Sequence, residues 1–142
     1  MPIYMKFEGI KGEVTAKGEH NGWIELQSAQ IGAHRQEIVG NRDSGAPAIS
    51  NIVITKNQDS ASPLLFQESL AGKGRKVTID FVKIEKGKEV TYLSIEIEGA
   101  MISSYTISGG GDMDRAMETL SVSFTKIVYG SKPTLSFFSI WL

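Results

Sequence analysis

The side chains best suited to bind a metal ion or act as a base near neutral pH are the two histidines, His20 and His34. They are far apart in the sequence, and neither stands at metal-ligand spacing from a partner. A single histidine in a polar turn or on a strand is usually a surface residue. We therefore predict that both histidines are exposed and that the chain holds no metal ion.

Carboxylates and serines are the next candidates for catalysis. Most aspartates and glutamates fall on the polar faces of predicted strands, and no pair is marked by an apolar setting that would split its pKa values. The serine-rich stretches around Ser103 and Ser121 lack the glycine-flanked turn that presents a nucleophilic serine. The sequence therefore predicts that the protein is not an enzyme.

Gly109, Gly110 and Gly111 invite comparison with a phosphate-binding loop, but no Gly-Lys-Ser/Thr follows them and the dinucleotide-binding spacing is not met. A connection between two strands is the simpler interpretation. The chain has no cysteine, which excludes disulfides, a thiol nucleophile and a thiolate metal site. We predict no cofactor.

Composition limits the remaining classes of function. The chain has 142 residues, which fits a single domain spanning residues 1–142. Fifteen basic and sixteen acidic residues give a net charge of −1, so no overall field favours nucleic acid or an anionic membrane. The first residues do not resemble a cleaved secretory signal, and no apolar run suits a membrane helix. The sequence predicts a soluble protein without membrane insertion.

The elements that would position functional residues begin with a strand from Ile24. Ile24, Leu26 and Ser28 alternate with their neighbours at the period of two typical of a half-buried strand. After Ile31 the chain stays polar through Pro47. A long polar excursion from a β domain is often functional, so we predict a protruding arm there.

One helix is predicted after position 59. Ser62 suits the N-cap, Pro63 suits the first helical position, and Gly72 or Gly74 suits the end. Phe66 and Leu70, four residues apart, would share the buried face.

The second half of the chain alternates apolar and polar residues in successive strands, including a hairpin that turns near Lys86 and Gly87. The predicted fold is mainly β: a compact β-barrel of two antiparallel sheets with one short flanking α-helix.

An ordered series of short segments runs along most of the chain. It comprises Met5-Lys6-Phe7-Glu8-Gly9-Ile10-Lys11-Gly12-Glu13, Ile24-Glu25-Leu26 ending near Gly32, Val53-Ile54-Thr55-Lys56, Asp59-Ser60-Ala61-Ser62-Pro63-Leu64, Tyr92-Leu93, Ile102-Ser103-Ser104-Tyr105, and Gly109-Gly110-Gly111 before Asp114-Arg115. In this order the segments resemble the haemolysin-coregulated protein (Hcp) family of bacterial type VI secretion. The resemblance extends to about Tyr129. The apolar end of the chain departs from the polar tail common in the family, and its role stays open.

The resemblance implies hexameric rings that stack into a tube, which a contractile sheath propels together with a spike. It implies that effector proteins bind in the lumen. It also implies that the protein is cytoplasmic before firing and is then secreted without a cleaved signal peptide. Alignment through Gly32 places Gln30 on the lumen wall, with Ser28 and Gly32 on the same side. The arm is predicted to stack rings through Gly40, Asn41, Arg42, Asp43, Ser44 and Gly45.

Two other classes of function remain open. One is an autonomous β-barrel that binds a small ligand or sugar, which would need a monomer with a convergent polar pocket. The other is a small hydrolase, for which the sequence offers no set of catalytic residues.

Overall fold

The computed structural model describes residues 2–15, 18–35, 47–132 and 136–142. These residues form eleven strands and one helix. In chain order the elements are β1 Ile3–Phe7, β2 Ile24–Leu26, β3 Ser28–Gln30, β4 Ala33–Arg35, β5 Pro47–Ile49, β6 Ile52–Asn57, α1 Ser62–Ala71, β7 Arg75–Glu85, β8 Lys88–Ser108, β9 Met117–Ser123, β10 Lys126–Ser131 and β11 Ser136–Trp141. The predicted hairpin is confirmed, because β7 pairs with β8 up to Glu85 and Lys88.

The strands form two antiparallel sheets. The first has the order β2-β1-β7-β8-β10-β11, and the second has the order β8-β9-β6-β3. Strands β2 and β3 are separated only by Gln27, whose N–H donates to the carbonyl of Thr55 at 2.7 Å. Strands β4 and β5 form a separate two-stranded ribbon. The predicted fold class, mainly β with two antiparallel sheets and one helix, is confirmed.

Strand β8 is 21 residues long and belongs to both sheets. Its first part pairs with β7 and β10, and its second part pairs with β9. Gly99 lies at the change, with a φ of 65°. A side chain there would be strained and would collide with Thr125, so glycine permits the strand to turn from one sheet into the other.

Both sheets and the helix bury their apolar side chains in one core. Its largest fully buried side chains include Met5, Phe7, Ile24, Ile52, Ile54, Leu65, Ile79, Ile97 and Leu120. Because these side chains come from β1, β2, β6, β7, β8, β9 and α1, the core joins elements from the whole chain.

The helix begins differently from the prediction. Ser62 is its first residue rather than its N-cap, and the N-cap residue is Ala61, which makes no side-chain capping bond. The predicted buried pair is also wrong, because Phe66 and Leu70 are 51 % and 74 % exposed whereas Leu65 is fully buried. Within the described part of the chain, no helix has the length and apolar character to cross a membrane.

Candidate functional site

The outer face of the second sheet is lined by uncharged, mostly hydroxyl-bearing side chains. In an antiparallel sheet, residues directly opposite each other share a face. The register gives two cross-strand rows: Ser28, Thr55, Thr119 and Thr106, followed by Gln30, Val53, Ser121 and Ser104. We call these two rows the hydroxyl face.

Hydrogen bonds across the strands hold several of these groups in place. The Oγ of Ser28 lies 2.5 Å from the Oγ1 of Thr55. The amide of Asn51 donates to the hydroxyls of Ser103 and Ser121, both at 3.2 Å. These three bonds lie at the exposed surface. The face thus offers neutral donors and acceptors, each worth about 0.5–1.5 kcal/mol in a net hydrogen bond.

The structure places two of the three predicted lumen residues in the hydroxyl face. Ser28 and Gln30 are exposed on β3, while Ala29 and Ile31 pack against the core. Gly32 is exposed but lies beyond the end of β3, so it belongs to neither row. Its N–H donates to the Oγ of Ser50 at 2.9 Å. Gly32 therefore marks the change from β3 to the β4–β5 ribbon.

The strand pattern around these residues changes phase at Gln27. Simple alternation predicts Ser28 on the same side as the buried Leu26, and this is wrong because Gln27 and Ser28 are both exposed. The chain bends at Gln27, and its N–H donates to β6 instead of continuing the pairing with β1. The bend turns the side chain of Ser28 outward.

Sequence reasoning missed the contributions of β6 and of the second part of β8. Thr55 on β6 and Thr106 on β8 carry hydroxyls in the same cross-strand row as Ser28. The alternation of hydroxyl and apolar residues in these strands would have predicted that each strand has one hydroxyl-bearing face. Their common location depends on which strands pair, which the local pattern does not specify.

The predicted ring-stacking residues, Gly40, Asn41, Arg42, Asp43, Ser44 and Gly45, lie outside the described residues. The described neighbours are β4 and β5, which pair from Ala33 opposite Ile49 to Arg35 opposite Pro47. The ribbon follows directly from the hydroxyl face through Gly32 and Ser50.

A buried ion pair lies on the core side of the second sheet. Lys56 and Glu118 are both fully buried, and the Lys56 Nζ is 2.5 Å from a Glu118 carboxylate oxygen. The ammonium also donates to Asp59 and to the carbonyl of Asn57, both at 2.9 Å. The hydroxyls of Ser62 and Tyr105 donate to Glu118. Glu118 is therefore an exception to the expectation that carboxylates fall mostly on exposed strand faces. Its contacts fix the start of α1 on the sheet.

His20 is buried, which corrects the prediction of a surface residue. Its Nε2 is 2.9 Å from one oxygen of the buried Asp80, and Ser94 donates to the other oxygen at 2.6 Å. In a catalytic triad the histidine lies between serine and carboxylate, but here the carboxylate lies between the other two. The arrangement therefore does not activate Ser94.

Glu19 completes a group of three possible metal ligands with His20 and Asp80, whose ligand atoms lie within 4.8 Å of one another. The buried members of the group are already joined by their own hydrogen bond, and Glu19 is exposed. His20 also contacts the rings of Tyr4 and Trp23, at centroid distances of 4.9 and 4.7 Å. These contacts fix the segment around Trp23 over the first sheet.

Tyr4 is a further titratable group beside this cluster. Its hydroxyl donates to Glu89 at 2.8 Å. Burial, followed by the hydrogen bond and the charge of Glu89, raises the pKa of Tyr4 to about 12. The phenol is therefore neutral at physiological pH and does not act as a base.

A cleft of about 920 Å³ lies over the outer face of the first sheet. Asp80, Ser94 and Glu96 contribute to its lining, with Lys6 and Lys132 also present. Asp80 and Ser94 are already bonded to each other, so two of the polar groups are not free for a small ligand. The cleft does not provide the convergent polar pocket that a sugar-binding module requires.

Comparison with known proteins shows an extended similarity. The family model described as "Type VI secretion system effector, Hcp" matches residues 4–130. No curated protein sequence gives a significant match.

Solved structures share the fold over almost the whole chain. The Hcp1 protein of E. coli EAEC 042 is 21% identical with a TM-score of 0.87, and the match covers 99% of this chain and 98% of that one. A type VI secretion system effector from Yersinia pestis is 21% identical with a TM-score of 0.82, and 99% of each chain is covered. Hcp1 from Salmonella typhimurium is 24% identical with a TM-score of 0.77, with coverage of 97% and 91%. At these identities the structures establish the fold alone.

Proposed function

Because this chain belongs to the Hcp family of type VI secretion proteins, whose model covers residues 4–130, we propose that it is a structural subunit of the secretion tube. Six copies form a ring, the rings stack into a tube, and effector proteins bind in the lumen. The spike and sheath proteins are its further partners. The protein leaves the bacterial cytoplasm when the apparatus fires, and this role requires no catalysis.

The hydroxyl face is the observation that carries the proposal. A lumen that accepts different proteins and later releases them needs weak contacts. None of the eight side chains in the two rows is charged, so none can form a strong ion pair with cargo. Neutral hydrogen bonds of about 0.5–1.5 kcal/mol each give weak contacts with cargo, and the same hydroxyl groups also bind water.

The first test is the size of the purified protein. A ring is expected to elute at roughly six times the 15.5 kDa of one chain and to appear as an annulus in negative-stain microscopy. A monomer at micromolar concentration, with no annuli on the grid, would contradict the ring. It would favour an autonomous binding domain.

A charge on the hydroxyl face is expected to alter cargo binding without breaking the ring. Symmetry repeats Gln30→Arg about six times around a confined lumen, which amplifies its field. We expect at least a several-fold change in the effectors that co-purify with the ring, measured by quantitative mass spectrometry.

Gln67→Arg is the matched control, because Gln67 is exposed on α1, outside the hydroxyl face. Both variants should retain the wild-type ring size. Equal effector levels in the two variants would show that β3 does not face the cavity.

The arm is proposed to join one ring to the next. Deleting residues 40–45 should leave rings intact but abolish tubes and secretion, since the shortened arm would no longer reach the next ring. Microscopy measures tubes, and immunoblotting of the culture medium measures secretion. Replacing residues 40–45 by a glycine-serine segment of the same length keeps the length of the arm and removes its side chains. This variant therefore separates the effect of arm length from the effect of the side chains. Normal secretion by the ring-forming deletion would refute the stacking role.

A further inference from the structure

Strand β11 is a sheet edge that lacks the usual protection. Within the described residues it pairs only with β10, through six consecutive residue pairs without a bulge. Its sequence, Ser-Phe-Phe-Ser-Ile-Trp, contains no charge, proline or glycine. Soluble proteins normally block such edges with lysine, proline or a bulge, because an open edge pairs with other chains. Another strand therefore has a place to add along β11.

Both faces of β11 also expose aromatic side chains. Phe137 and Trp141 on one face are 72 % and 68 % exposed, and Phe138 on the other face is 61 % exposed. With each aromatic ring able to bury about 150–250 Å², these three offer roughly 400 Å² of exposed surface. That is about half of the ~800 Å² that each partner buries in an ordinary stable interface. The edge is large enough to anchor a protein contact but needs additional surface.

The β4–β5 ribbon offers a second open edge on the same chain. It has only two strands, and no third strand pairs with it among the described residues. A two-stranded sheet is marginally stable by itself. Strand β5 begins with Pro47, which has no N–H to donate, whereas β4 consists of Ala33, His34 and Arg35 and can both donate and accept. Strand β4 is thus the better edge for a further pairing.

We propose that β11 of one copy pairs with β4 of the neighbouring copy, so that a β-sheet shared between subunits closes the ring. This inference rests on the proposed ring and names the contact that builds it. The two edges are different surfaces of one chain, which is the requirement for a head-to-tail contact that repeats around a ring. With a net charge of −1 per chain, general repulsion between copies is weak.

The absence of cysteine makes cross-linking a direct test, since every thiol is introduced by design. Ser139 on β11 and Ala33 on β4 are both exposed. The double variant Ser139→Cys/Ala33→Cys, treated with a short bis-maleimide, should give a ladder of covalent oligomers that ends at the ring. Each single variant should remain monomeric on a denaturing gel. The pair Lys86→Cys/Ala33→Cys, with one thiol at the exposed hairpin tip, is the control and should give no ladder.

A second measurement tests the apolar anchor. Phe137→Asp should weaken ring association by roughly tenfold or more per contact, because it places a carboxylate in the buried centre of the interface. Leu70→Asp is the matched control, since Leu70 on α1 is 74 % exposed and Phe137 is 72 % exposed. Both variants should keep the wild-type circular dichroism spectrum. Equal loss of rings in the two variants would overturn the specific role of β11.

The outcomes separate this contact from the proposed function. Rings that form without the cross-linked ladder overturn the β11–β4 contact alone. Dimers from the single variant Ser139→Cys mean that β11 pairs with its own copy, which also overturns it. A monomeric wild-type protein in the sizing column overturns the ring and the contact together.

Discussion

Replacing Lys56 by methionine is expected to lower the free energy of unfolding by roughly 3–5 kcal/mol, because it leaves the Glu118 carboxylate buried without its counter-charge. Both side chains are fully buried, and their charged atoms are 2.5 Å apart. The hydroxyls of Ser62 and Tyr105 still donate to Glu118 in this variant, but hydroxyls cannot replace a positive charge. Asp59 loses the same ammonium.

Urea unfolding at a fixed protein concentration measures this effect, since assembly would otherwise change the apparent stability. The double variant Lys56→Met/Glu118→Leu should be more stable than Lys56→Met, because it removes the stranded charge as well. Lys83→Met is the surface control. Lys83 and Glu85 are 3.0 Å apart but 41 % and 55 % exposed, so its loss should cost less than about 1 kcal/mol. Equal costs for Lys56→Met and Lys83→Met would refute the assigned role of the buried pair.

The second large effect is expected from Gly12→Ala. Gly12 is buried, and a Cβ built on it would lie 2.7 Å from the backbone nitrogen of Ile24 and closer still to the carbonyl of Trp23. Its N–H also donates to the carbonyl of Gly22 at 2.8 Å, so the segment cannot move away without losing that bond. Overpacking of this kind costs about 1–3 kcal/mol, and more where backbone must shift.

Gly111→Ala is the matched control, because no atom lies within 4 Å of the Cβ that it would add. It should be nearly neutral, or stabilising by a few tenths of a kcal/mol through the unfolded chain. Thermal unfolding followed by circular dichroism would compare the two. A Gly12→Ala protein as stable as Gly111→Ala would mean that the approach of Gly12 to Trp23 is not required by the fold.

The strands and their apolar faces follow from the amino-acid sequence. Val77, Ile79, Ile95 and Ile97 alternate with polar neighbours, and all four are buried as the period of two requires. The hairpin between β7 and β8 was also predictable, since both strands and their turn are adjacent in the chain. The neutral character of Ser28 and Gln30 could be read from the sequence as well. Local patterns succeed here because pleat and turn geometry act over a few residues.

Which polar side chains are buried depends on the tertiary structure. Glu118 and Asp80 occur in strands where charge normally indicates solvent exposure, yet both are buried. Their partners Lys56 and His20 are 62 and 60 residues away in the chain. A buried charge is tolerated only when such a partner satisfies it, and sequence periodicity contains no information about a partner at that distance.

The same limit applies to the hydroxyl face and to the helix. Ser28, Thr55, Thr119 and Thr106 form one row only because β3, β6, β9 and β8 pair in that order. The bend at Gln27 reverses the side on which β3 presents its residues, so alternation extended from β2 gave the wrong side. Likewise, Leu65 of α1 is buried in the core, whereas Phe66 and Leu70 are exposed. Strand pairing and helix docking are set by the joint packing of distant segments, and this decides which residues of an element meet solvent.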